Sequence, residues 1–148
     1  MNCRERVLTA FDFAESERVP CWCGASPEFL AKARRQLNLP DDESFFVRIG
    51  DDFRRVFARY VGPTFPRSPR AACRTTFGVE RTGHGYGQPL SHPLARATLR
   101  EIHDYPWPDP RWQDVSHIRS DALAWSRQYA ILGGDWSPFW HDAIDLLG

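Results

Sequence analysis

Gly50-Asp51-Asp52-Phe53-Arg54-Arg55-Val56-Phe57-Ala58-Arg59-Tyr60-Val61-Gly62-Pro63 decides how the chain is read. The stretch opens on a glycine suited to stop a helix and closes on a Gly-Pro breaker. Between them lies a run rich in β-branched and aromatic residues, short enough for a single buried strand. Its outgoing end carries Arg59 and Tyr60, a cation and a phenol, where a parallel sheet gathers its chemistry. The plainer alternative is an ordinary strand whose arginine makes a surface ion pair.

Upstream, Asn2 and Glu5 have the spacing of a capping box, and Val7, Leu8, Ala10 and Phe11 follow at helical intervals. That helix is expected to end near Phe13. Arg18-Val19-Pro20-Cys21-Trp22-Cys23-Gly24 reads as a first strand, with its proline near the start where a missing donor is tolerated. Ser26-Pro27-Glu28 is a helix start, and Phe29, Leu30, Ala33 and Leu37 form its apolar stripe. Asp41 or Asp42 caps a short helix through Phe45, Phe46 and Ile49, which Gly50 terminates. The order helix, strand, helix, helix, strand predicts an α/β fold with right-handed crossovers.

Downstream, residues 64–94 break the rhythm with several prolines and glycines and read as an insertion. Within it, Cys73 to Glu80 and Tyr86 to Leu90 are the two arms of an expected hairpin. Thr98 and Glu101 form a second capping box. Tyr105-Pro106-Trp107-Pro108-Asp109-Pro110 is a rigid extended connector. Ile118, Ala122, Leu123 and Trp125 mark a helix leading into a third strand, Tyr129 to Asp135, whose outgoing end is Gly133-Gly134-Asp135. Ser137-Pro138 starts a last helix, Phe139 to Leu147.

The 148 residues have the length of one domain. A hydrophobic share of 42% with 26% charged residues is that of a soluble globular chain. Lys+Arg and Asp+Glu balance at 19 each, leaving no net field to gather nucleic acid or an anionic membrane. Lys32 is the only lysine, so the basic residues are otherwise arginines, a skew that fits either oxyanion recognition or a GC-rich genome. The first residues lack a signal peptide's apolar core, and no apolar run approaches membrane length, so the location expected is cytoplasmic. Cys3, Cys21, Cys23 and Cys73 then read as reduced thiols. Cys21 and Cys23 alternate along their strand, and no tetrahedral metal spacing links them to His84 or His92.

Three predicted strand ends, Cys23-Gly24, Arg59-Tyr60-Val61-Gly62 and Gly133-Gly134-Asp135, fall on one face if the strands are parallel. Glycines there let backbone approach a ligand. The candidate substrate-binding residues are therefore Cys23, Arg59, Tyr60, Gly133, Gly134 and Asp135, with no metal ligand and no assigned catalytic residue. Gly133-Gly134 matches neither a dinucleotide nor a P-loop fingerprint.

In Arg4-Glu5-Arg6-Val7-Leu8, Arg18-Val19-Pro20, the Gly50 to Pro63 stretch, Tyr105-Pro106-Trp107-Pro108-Asp109, and Gly133-Gly134 with Ser137-Pro138-Phe139, the chain resembles the N-terminal part of the uroporphyrinogen decarboxylase superfamily. That superfamily includes the corrinoid (cobalamin)-dependent methyltransferases. The resemblance implies a TIM (β/α)8 barrel, of which 148 residues supply the first strands and helices. Two departures bear on activity. The decarboxylases' substrate-binding arginines fall on Ala25 and Phe29, and their pyrrole-gathering aspartate falls on Arg59, which has no acceptor to offer. The methyltransferase-like branch is the better match. Its zinc ligands lie in a second half that these residues do not include.

The expectation is thus an N-terminal portion of a barrel that moves a methyl group between a corrinoid or methylated donor and a thiol. The alternatives are decarboxylation of a porphyrinogen in tetrapyrrole biosynthesis, or a non-catalytic remnant or assembly module. No cofactor is expected within this segment, zinc and corrinoid belonging to a full-length parent. Its partners would be a small-molecule substrate (tetrapyrrole or methyl donor), together with a second copy or the missing barrel half.

Overall fold

A computed structural model describes residues 1–83, 87–134 and 138–148. In chain order its elements are α1 (Cys3–Phe11), α2 (Pro27–Leu37), α3 (Asp42–Ile49), β1 (Phe53–Val56), β2 (Arg59–Tyr60), β3 (Cys73–Arg74), β4 (Glu80–Arg81), α4 (Leu99–His103), β5 (Gln113–Asp114), α5 (Ile118–Trp125), β6 (Ala130–Gly133) and α6 (Pro138–Leu147). The fold is mixed α/β, with three two-stranded sheets and no closed barrel among the described residues. Two units divide it, Met1–Ala58 with Val115–Gly134, and Arg59–Asp114 with the residues leading to Gly148. Among the described residues no helix is long and apolar enough to cross a membrane.

Local chemistry sets the helix boundaries of the first unit. Asn2 and Glu5 close a reciprocal capping box at α1, each bond 2.8 Å. Ser26 caps α2 through the Phe29 amide, and Pro27 fills the first helical position. Asp41, not Asp42, caps α3 at 2.7 Å from the Ser44 amide. Gly50 ends α3 with φ +73°, a left-handed conformation that glycine adopts without a Cβ penalty.

β1 and β6 pair in parallel, in register from Phe53↔Ala130 to Val56↔Gly133. Helix α5 packs on both strands and α1 on β6, while α2 packs on α3 with Phe29 and Phe45 edge-on at 6.2 Å. Val7, Ala33, Phe45, Val56 and Tyr129 are buried in this unit. α1 ends at Phe11 rather than Phe13, and Phe13 itself takes a left-handed turn at φ 53°.

The first predicted strand is extended but forms no ladder. Pro20 has no N–H, and the Cys21 and Cys23 amides donate to the side chains of Asp52 and Asp51, each at 2.8 Å. A single backbone bond, from the Asp52 amide to the Cys21 carbonyl, joins it to the entry of β1. Carboxylates here do what a neighbouring strand would otherwise do.

Asp52 is 0% exposed and is the hub of a charge network. Arg6 donates to it from α1, Arg18 reaches both its oxygens at 2.7 and 2.9 Å, and Arg6 also pairs with Glu17. Burial pushes the carboxyl pKa up, but the Cys21 amide and the Arg18 guanidinium outweigh it and hold the group below the usual aspartate range.

The second unit has its own small core of Val79, Leu94 and Leu146, flanked by Phe77, Ala97, Ile102 and Tyr105. β3 and β4 form an antiparallel hairpin turned at Gly78, whose φ is +82° and whose absent Cβ makes room for the Tyr105 hydroxyl. The hairpin is tighter than expected, because β3 falls within the predicted first arm and β4 begins at its last residue, Glu80. The predicted second arm contributes only a bridge from Pro89 to Arg81. Its first residue, Tyr86, lies outside the described residues, as does the Ser137 cap expected for α6. Arg81 reaches Asp145 on α6 in an ion pair.

The long strand expected from residues 50–63 is two strands. The ladder with β6 ends at Val56, and Arg59-Tyr60 instead pairs antiparallel with Gln113-Asp114 in the second unit. Tyr60 and Phe65 lean on Trp112 there, at 6.5 and 5.6 Å between ring centres. Non-local aromatic packing redirects the chain at Ala58.

Candidate functional site

Side chains alternate across β1, so Arg54 and Val56 share one face while Phe53 and Arg55 share the other. Both Arg54 and Val56 are buried. Arg54 makes a two-pronged pair with Glu43 of α3 at 2.7 and 2.6 Å and lies 3.7 Å over the ring of Tyr129. Its charge is thereby matched, as a buried guanidinium requires. Burial raises the Tyr129 phenol above the ordinary tyrosine range.

Arg55 is placed differently. Its guanidinium carbon lies 5.6 Å from the Trp22 ring centre and 4.8 Å from that of Phe57. One Nη donates to the Gly134 carbonyl at 3.4 Å, while Nε is buried with no hydrogen-bond partner. No carboxylate pairs with it among the described residues.

A cavity of about 300 Å3 opens at this point, lined by Trp22, Cys23, Asp51, Phe53, Arg55 and Phe57, with the Arg54–Glu43 pair and two further aromatics at its border. Asp51 is buried, and both its oxygens are taken by backbone amides, of Phe53 and Cys23 at 2.8 Å each. Burial raises its pKa nonetheless. Burial likewise raises the Cys23 thiol, with the Asp51 charge adding to the effect, so the sulfur is held as a neutral thiol at pH 7. Beside the cavity, the positions of Gly133 and Gly134 have no atom within 4 Å of where a Cβ would stand. The hollow is largely aromatic, with the paired Arg54 and Glu43, the engaged Asp51 carboxylate, the Arg55 guanidinium and the Cys23 thiol as its polar groups, the composition of a small-molecule site.

Of the residues singled out from sequence, Cys23 lines the cavity, Gly134 touches Arg55, and Gly133 closes β6 opposite Val56. Asp135 lies outside the described residues. Arg59 and Tyr60 belong to the second unit. There Tyr60 donates to the Pro63 carbonyl at 2.7 Å and, with Phe65, Arg67 and Arg74, lines a separate hollow of about 410 Å3. His84 lies outside the described residues, and His92 makes a 2.9 Å contact with the Asp145 carbonyl. No group of three His, Cys, Asp or Glu side chains stands together to hold a metal among the described residues.

Sequence reading passed over Trp22, Asp51, Arg55 and Phe57. The two-residue alternation Phe53, Arg55, Phe57 was the available signal, since it puts a cation between two aromatics on one face. Protein-family models, curated proteins and solved structures give no match to the chain.

Proposed function

We propose that the chain is the N-terminal part of a uroporphyrinogen decarboxylase-superfamily barrel of the methyltransferase-like branch, acting in methyl transfer between a corrinoid or methylated donor and a thiol. The observation that carries the reading is the parallel β1–β6 pair, on which α1 and α5 of the first unit pack. Parallel sheets are stable with both faces covered. α1 and α5 supply one cover. Phe53, Arg55 and Phe57, on the opposite face, remain partly open, and this is the face a barrel turns inward. Further strands, from longer sequence or from a second copy, would complete that cover.

On this reading Cys23, Gly133 and Gly134 shape a substrate pocket with Arg55, and Asp135 follows them. Arg59 and Tyr60 stay attached to the pocket through the resemblance alone. The described residues do not fit a zinc site, and a cavity of about 300 Å3 suits a small ligand rather than a macrocycle. The chain's own contribution is therefore to hold and orient the smaller partner. Four free cysteines accord with a cytoplasmic location.

The test is to incubate a full-length parent carrying this segment with methylcobalamin and a small thiol and follow the corrin absorbance. Demethylation faster than with thiol alone supports methyl transfer, and a rate equal to the thiol blank sinks it. Arg55, which no carboxylate pairs with among the described residues, favours one rival, decarboxylation of an acidic tetrapyrrole, because a guanidinium binds carboxylates. Loss of carboxyl groups from a porphyrinogen on incubation would select that rival.

A further inference from the structure

Arginines in this chain that stand near acids are paired: Arg6 and Arg18 with Asp52, Arg54 with Glu43, Arg34 with Asp42, Arg111 with Asp109. Arg55 departs from that pattern inside a cavity. Two acids line the cavity among the described residues and both are engaged, Glu43 by both prongs of Arg54 and Asp51 by two backbone amides. The guanidinium carbon stands within 6 Å of the Trp22 and Phe57 ring centres, so its N–H donors sit in aromatic surroundings. Nε is closed off and has no acceptor, and one Nη makes a long bond of 3.4 Å to the Gly134 carbonyl, so the Nη groups are the donors a ligand would meet.

We infer that Arg55 is the anchor for the carboxylate of a small apolar or aromatic acid, whose body lies against Trp22, Phe53 and Phe57. The inference rests on reading the β1–β6 strand ends as a small-molecule site, and it names the ligand class for that site. A carboxylate supplies the two-oxygen acceptor that the Arg55 edge lacks. The three aromatics supply a surface that inorganic phosphate does not use. The cavity volume admits an acid of about one ring, at the small end of ligand pockets. The two neighbouring rings and the Gly134 carbonyl hold the guanidinium in place before the ligand arrives, which lowers the ordering cost of binding.

The experiment is calorimetric titration of the full chain with benzoate, with its neutral isostere benzamide, and with inorganic phosphate. Benzoate is expected to bind about tenfold more tightly than benzamide, the gain of one charge-assisted bidentate contact. Arg55→Gln should abolish that preference and Arg55→Lys should keep part of it, with far-ultraviolet circular dichroism reporting whether each variant is folded. Arg100→Gln, at an exposed position on α4 outside the cavity, should leave the preference intact. Equal binding of benzoate and benzamide by the unaltered protein, or no benzoate binding, overturns the inference without recourse to any variant. Retention of the preference in Arg55→Gln also overturns it. Phosphate binding as tight as benzoate refutes the aromatic-acid assignment in favour of a free-anion site. A benzoate preference without demethylation of methylcobalamin upholds the anchor and sinks the methyl-transfer reading, and the converse pair of results does the reverse.

Discussion

Replacing Asp52 by asparagine tests whether the charge network holds the first unit together. The side chain is wholly buried, and its oxygens serve Arg6, both prongs of Arg18 and the Cys21 amide. A surface pair in its place would be worth at most about 1 kcal/mol. Removing one partner of a buried pair costs about 3–5 kcal/mol, because the remaining charge is left uncompensated. Arg18 is more than a third exposed, so its share is discounted for solvent screening. Arg6 keeps Glu17 as a second partner, which softens the loss further. The expected destabilisation is therefore at the lower end, about 3 kcal/mol, a large fraction of an ordinary domain's total stability. Urea unfolding followed by tryptophan fluorescence measures it, and hydrogen exchange at the Cys21 and Ala130 amides assigns it to the first unit. The pH dependence gives a second readout. The folded-state pKa of Asp52 is depressed, so its contribution is present above the unfolded value of about 3.9 and is lost as pH falls through the folded value. Asp52→Asn should flatten the acid limb below about pH 4. A loss under about 1 kcal/mol with an unchanged acid limb would refute the reasoning.

Three further outcomes follow from the geometry. Gly50→Ala should cost about 1–2 kcal/mol in a thermal melt, because φ is +73° while the added Cβ would meet nothing nearer than Arg18 at 3.5 Å; no loss would mean the backbone relaxes to negative φ. Cys21 and Cys73 are exposed, whereas burial raises the Cys3 and Cys23 thiols, so iodoacetamide at mildly alkaline pH should label the first pair before the second by peptide mass spectrometry. Burial also raises the Tyr105 and Tyr129 phenols, so stability should decline as pH rises above about 10, and Tyr105→Phe or Tyr129→Phe should each remove part of the late phenolate absorbance.

The helix boundaries were legible because caps are local. Asn2 with Glu5, Ser26-Pro27, Thr98 with Glu101 and Gly50 each state their role within four residues of sequence. β6 was legible for a related reason, as an apolar run closed by Gly133-Gly134. The division of residues 50–63 into two strands was not, since nothing near Arg59-Tyr60 announces a partner at Gln113-Asp114. Cys21 and Cys23 were placed on a strand by their alternation, but Asp51 and Asp52 satisfy their amides from the side, a bond no periodicity reports. Around the cavity, Cys23 and the glycine pair stood out in the sequence, and Arg55 did not. A guanidinium without an acid becomes visible only once every nearby acid has been accounted for.

The parallel register of β1 with β6 also fixes an order of events during synthesis. Residues 57–129 must be made between the two strands, which takes roughly 4–15 s at ordinary elongation rates. Arg6, Arg18 and Asp52 all precede that interval, so α1 can clamp the entry of β1 before its partner exists. Through the wait, β1 presents an unpaired edge, the usual starting point for misassociation between nascent chains. Its centre reads Phe-Arg-Arg-Val, not the aliphatic run typical of a parallel strand. Arg54 can pair at once with Glu43, made just before it, so Arg55 is the cation left to act as a gatekeeper against aggregation while the strand waits.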